Sequence, residues 1–348
     1  MEEQLMKKVF VFCSILSVTA LVIMMLFMYV NNHDGLLRSM VTEEVKAEET
    51  ETGETTKSYL GIPIPNGISG KDITIEDHYM ERTLVVTIPH ASVEFYDGKV
   101  LDGSAQHIEA VYYDADAQAV KIHIILEELC DYHTDFFQNE IQISFVPIQE
   151  VYDKILVVDA GFGGTSTGTV SYGISEKEVA LGITQKLKQM LDQTDIKVYY
   201  TRLSDVDVTE EDRIGIADLS GADLYLSIHA NGDATTHVST GAMTHYHQSG
   251  AGAQLTNQAL AELVQKSVLD STEAYDAGVV EDAGNIELLN HLKIPAVMFE
   301  AGYLTNRKEA LLLASAPYQE KIAEGLYEGI LEAYQKLGKT VNQVDVDE

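Results

Sequence analysis

Cysteine is scarce in this chain: 348 residues contain two, Cys13 and Cys130. Two cysteines cannot build a disulfide-dense scaffold or a cysteine-based zinc module. They are far apart, and Cys13 falls inside an apolar run, so pairing between them is not expected. Any metal in this protein has to rely on histidine and carboxylate. Basic residues are also short, with 23 Lys and Arg against 55 Asp and Glu, for a formal net charge of -32. That balance excludes a general nucleic-acid binder, which needs a Lys/Arg surface to neutralise phosphates. It also argues against docking on an anionic lipid surface. Proline is rare, with six residues, and the hydrophobic content is 45%. A wholly disordered chain is excluded by that composition.

Charge is absent from one long stretch. Residues 9–30 (VFVFCSILSVTALVIMMLFMYV) hold no charged residue and no proline. About 20 apolar residues cross a hydrocarbon core as a helix. The run exceeds a usual signal-peptide core, and no small-x-small cleavage pattern follows it. It is read as a transmembrane anchor. Lys7 and Lys8 precede it and place residues 1–8 in the cytoplasm. The expected location is therefore the cell membrane, single-pass, with everything after residue 30 on the extracytoplasmic side. Residues 31–69 are rich in Glu and poor in large apolar groups. They cannot bury enough surface to offset chain entropy and read as a disordered spacer.

Residues 70–150 read as a β-rich accessory domain, a small sandwich. Strands are expected at 73–75, 83–89, 120–126 and 141–148, the last two from alternating apolar and polar residues. His123 falls on the polar side of its strand and reads as an exposed histidine. No catalytic constellation stands out there. Residues 151–338 change to alternating strands and helices. Strands are expected at 154–159, 197–201, 223–229, 241–247 and 295–300. Helices are expected at 176–191, from Thr209 to Ala217, near 253–269 and after Pro317. The pattern is α/β: an open, mostly parallel sheet with helices on both faces. Residues 339–348 read as an acidic tail.

Ligands of open α/β sheets bind beyond the carboxyl ends of the strands. His229 and Glu300 stand at two such ends, and Glu176 opens the helix after the first strand. Singly, each has an ordinary structural reading: a dipole-favoured helix start, a satisfied strand-end histidine, a buried ion-pair partner. Together, two carboxylates and an imidazole suit a hydrolytic zinc site with one carboxylate as general base. Gly161, Gly163 and Gly164 complete neither a dinucleotide fingerprint nor a phosphate-binding loop.

The motifs VVDAGFGG, GISEKEVAL, VYYTRLSD, GADLYLSIHAN and PAVMFEAGYLTN follow in order between about 154 and 335. In sequence and spacing they resemble the zinc-dependent N-acetylmuramoyl-L-alanine amidases, which cleave peptidoglycan. The resemblance implies that Glu176 and His229 are zinc ligands and Glu300 is the catalytic glutamate. Zinc-activated water would attack the amide joining N-acetylmuramic acid to L-Ala. One position departs. The family's first zinc ligand, a histidine in a GHGG turn, is here Phe162, which has no lone pair to donate. Three accounts follow. His245, His247 or His237 substitutes for the missing ligand; a weaker two-ligand metal site persists; or the domain is a pseudo-amidase that binds peptidoglycan or regulates a partner. An adhesion or scaffold protein is a further class, separated by metal content.

Overall fold

The computed structural model describes residues 38–39, 59–99, 101, 105–137, 139–248 and 254–344. The expected cytoplasmic terminus (1–8) and anchor (9–30) lie outside these residues, as does most of the spacer. Among the described residues no helix is long and apolar enough to cross a membrane. The chain divides into two compact units, residues 1–147 and 148–348.

The first unit contains β1 (Arg38–Ser39), β2 (Leu60–Pro63), β3 (Thr74–His78), β4 (Thr83–Pro89), a short helix α1 (Val93–Tyr96), β5 (Ile108–Ala115), β6 (Ala119–Leu126), β7 (Cys130–Phe136) and β8 (Glu140–Pro147). Five strands form one sheet in the order β1-β5-β6-β4-β3, and three form another, β2-β8-β7. Alternation explains the core between them. Val120, Ile122 and Ile124 of β6 pack in one cluster with Ile62 of β2 and Ile141 and Ile143 of β8. The unit starts earlier than expected. Leu60–Pro63, read as spacer, pairs antiparallel with β8 and buries Leu60 and Ile62. The strands β5 and β7 escaped the sequence reading because exposed polar groups break their apolar pattern. His123 is not free in solvent: it stacks on Tyr112 with centroids 4.6 Å apart and lies 2.9 Å from the Asp114 carboxylate.

The second unit runs α2 (Ile148–Val151), β9 (Ile155–Ala160), β10 (Val170–Ser171), β11 (Ile174–Ser175), α3 (Glu176–Leu191), β12 (Lys197–Tyr200), α4 (Glu210–Ser220), β13 (Leu224–Asn231), β14 (Ala242–Tyr246), α5 (Asn257–Thr272), β15 (Asp276–Glu281), α6 (Glu287–His291), β16 (Ala296–Tyr303), α7 (Arg307–Leu313) and α8 (Ala316–Lys336). Six strands form a mixed sheet, β12-β9-β13-β16-β14-β15. All neighbours are parallel except β14 and β16. This is an α/β fold with helices flanking the sheet. The strand β15 was missed because DAGVVE is polar at both ends and carries a glycine. Part of the expected tail is pinned: the Asn342 backbone donates to Asp195, and Val344 N donates to the Gln193 carbonyl.

Strand alternation decides what each face of this sheet does. Leu156 and Val158 of β9, Leu224, Leu226, Ile228 and Ala230 of β13, and Val297, Phe299 and Ala301 of β16 share one core with α3, α5 and α8. The intervening residues point the other way. Register sets Ser227 beside Asp159, and His229 beside Glu300. The polar residues of the central strands are therefore gathered on one face, near the strands' carboxyl ends.

Candidate active site

A cleft of about 680 Å³ opens at this sheet edge. Phe162, Glu176, His229 and Glu300 line it, together with Arg213 and Asn285 to Leu288. Glu176 comes from the first turn of α3. Glu178 helps to fix that turn, its carboxylate accepting from Ser175 N at 3.3 Å and Ser175 Oγ at 2.7 Å. The Glu176 carboxylate takes the Thr169 backbone N–H at 2.9 Å on Oε2. Its Oε1 accepts from the Ala230 N–H at 3.3 Å and from His229 Nδ1 at 2.8 Å.

Burial disfavours the His229 cation, but the hydrogen bond to Glu176 and the charges of Glu300, Glu176 and Asp159 outweigh it. The net shift of its pKa is upward. Glu300 behaves differently. Desolvation pushes its carboxyl up to about 7, with the Glu176 charge adding to the rise and His229 opposing it. Its Oε2 is buried and has no hydrogen-bond partner. A carboxyl held near neutral pH can both take and give a proton, as general acid–base work requires.

Asp159 forms a second layer that sequence reasoning missed. It is fully buried and ion-paired with Arg213. Ser227 Oγ and Thr201 Oγ1 each donate to it at 2.6 Å. Burial would raise its pKa, yet Arg213, His229 and these hydroxyls hold it below the ordinary carboxylate value. The available signal was a lone acid within an otherwise apolar strand, Ile155–Ala160.

Phe162 follows β9 in a tight turn closed by reciprocal Gly163–Ser166 backbone hydrogen bonds at 2.9 Å. Its ring meets His229 edge-on, with centroids 5.2 Å apart and planes at 73°. Glu176 and His229 are the donors that the resemblance assigns to a metal, and both line the cleft, whereas Phe162 supplies none. Among the described residues no group of three or more His, Cys, Asp or Glu is disposed to hold a metal ion. The residues present do not fit a three-ligand zinc centre. The three other histidines do not line the cleft. His237 Nδ1 donates to the Thr305 carbonyl at 3.1 Å. His245 sits on β14, where burial lowers its pKa. The His247 carbonyl accepts from Asn257 Nδ2 at 2.6 Å.

Fold and cleft together define an α/β domain with a polar cleft at the carboxyl ends of its central strands. The model of the family described as N-acetylmuramoyl-L-alanine amidase matches residues 156–332, and the chain belongs to that family. A germination-specific N-acetylmuramoyl-L-alanine amidase of Bacillus subtilis is 30% identical over 199 residues, covering 53% of this chain and 81% of that protein. The N-acetylmuramoyl-L-alanine amidase LytC of the same organism is 28% identical over 185 residues, 53% of this chain and only 36% of its own length. An N-acetylmuramoyl-L-alanine amidase of Clostridium difficile 630, known from a crystal structure, is 32% identical with a TM-score of 0.49, covering 52% of this chain and 96% of that one.

Proposed function

We propose that the chain acts at peptidoglycan by holding the muramoyl–L-alanine region of the polymer in this cleft, without the zinc hydrolysis its family resemblance implies. Phe162 carries the reading: a ring without a donor atom faces His229 where the resemblance expects a ligand. With one ligand of three replaced by phenylalanine, no hydrolytic step can be derived through a metal. The cleft keeps polar groups suited to an amide and sugar hydroxyls: Asn231, Asn285, Ser166 and Thr169 line it. Family membership supports the choice of peptidoglycan as the target.

A second reading, slow hydrolysis of the same amide, draws support from Glu300. Its unpartnered Oε2 would take the proton of an attacking water and return it to the departing L-Ala amine. Sedimentation with purified peptidoglycan, followed by an assay for new L-Ala amino groups, separates the two. Binding without new amino groups is the expected result. Release of L-Ala-linked peptides that Glu300→Gln abolishes establishes the second reading instead, and no binding at all overturns both.

Placement at the outer face of a membrane is part of the proposal and rests on the apolar run at 9–30. Retention of the full-length chain in membranes washed with alkaline carbonate tests it. Release into the wash would remove the anchor.

A further inference from the structure

The backbone around residue 162 is fixed from outside. Arg213 donates to the Ala160 carbonyl at 2.9 Å and to the Phe162 carbonyl at 2.6 Å. Arg202 donates to the Ala160 carbonyl at 2.9 Å and to the Gly161 carbonyl at 2.7 Å. Both guanidinium groups are buried, and the Asp159 pair anchors one of them. Three consecutive carbonyls are thus held, and with them the direction in which side chain 162 points.

The space on the donor side is equally constrained. A Cβ on Gly161 would lie 2.4 Å from the His229 ring, and one on Gly168 would lie 2.6 Å from Glu176 Oε2 and from the Phe162 ring. Gly161 and Gly168 thus set bare backbone against His229, Glu176 and the ring of residue 162. The conformation of residue 162 carries a further signal. Phe162 has φ +57°, in the left-handed region. Bulky side chains rarely adopt it, whereas His, Asn and Asp are several-fold enriched there. The backbone suits histidine better than the phenylalanine it carries.

We infer that this cleft is a three-donor metal site disabled at one side chain: Phe162 occupies the third donor's place, while the frame that aims it stays intact. The inference rests on the family reading and is independent of whether the native chain binds peptidoglycan. An imidazole in place of the phenyl ring would bring a nitrogen to the Glu176–His229 pair with no change of backbone.

Zinc titration followed by calorimetry, and the visible absorption of bound Co²⁺, test this without any activity measurement. Phe162→His is expected to bind one zinc per chain, at least 100-fold more tightly than the native chain, with a tetrahedral Co²⁺ spectrum. His229→Ala in that background is expected to abolish the gain, and Glu300→Gln to preserve it. In case Phe162→His folds poorly, Phe162→Ala with added imidazole supplies the same nitrogen, and zinc retention should then depend on imidazole. If neither variant gains zinc, or if the native chain already holds one tightly, the inference is overturned. Peptidoglycan sedimentation of the native chain, run alongside, reports separately on the functional reading.

Discussion

Glu300 owes its chemistry to its surroundings. A carboxyl raised from 4.5 to about 7 in the folded chain keeps a proton that the unfolded chain releases. The stability it contributes is complete below pH ~4.5 and is lost as pH rises through ~7. A shift of that size is worth up to about 3 kcal/mol. His229, also raised, acts in the same direction. Replacing Glu300 with Gln removes the ionisation, so the fall in Tm between pH 5 and pH 8 should shrink; an unchanged fall would show that Glu300 is not held protonated. Glu176, His229 and Glu300 were legible in the sequence because strand ends and a helix start are readable from periodicity, and sheet topology then brings them together. Asp159 was not, because its partners Thr201, Arg213 and Ser227 lie 42 to 68 residues away. Nothing local marks a buried ion pair.

Between elements, the connection that shapes the site runs from α4 to β9. Arg213, on the buried side of α4, neutralises Asp159 and holds the turn that carries Phe162. Arg213→Met leaves a carboxylate buried without its cation, a change that costs about 3–5 kcal/mol. Urea unfolding should show a loss of that order, and Asp159→Asn in the same background should recover part of it. A loss below ~1 kcal/mol would mean that Asp159 finds other compensation. The helices α3, α4 and α8 lie close to where apolar spacing and capping residues put them, with Thr209 Oγ1 accepting from Asp212 N at 3.1 Å. The short helices α6 and α7 escaped, since five and seven residues are too few to display a 3.6-residue period.

Over the whole molecule, two units carry two separate cores, one built on the β6 and β8 faces and one on the central α/β sheet. A fragment of residues 148–348 is accordingly expected to fold alone, with a cooperative thermal transition. Aggregation or a non-cooperative melt would show that the first unit is needed. The change of pattern near residue 150 was visible as strands giving way to strand–helix alternation, whereas the early start of the first unit at Leu60 was hidden by the acidic composition around it. The central claim concerns the native site: an amidase-family cleft that lacks the third donor for zinc. Zinc retained per native chain, after loading and exhaustive dialysis against metal-free buffer, tests it most directly. Far less than one zinc per chain is the predicted result, and one tightly held zinc lost in both His229→Ala and Glu176→Ala would contradict it.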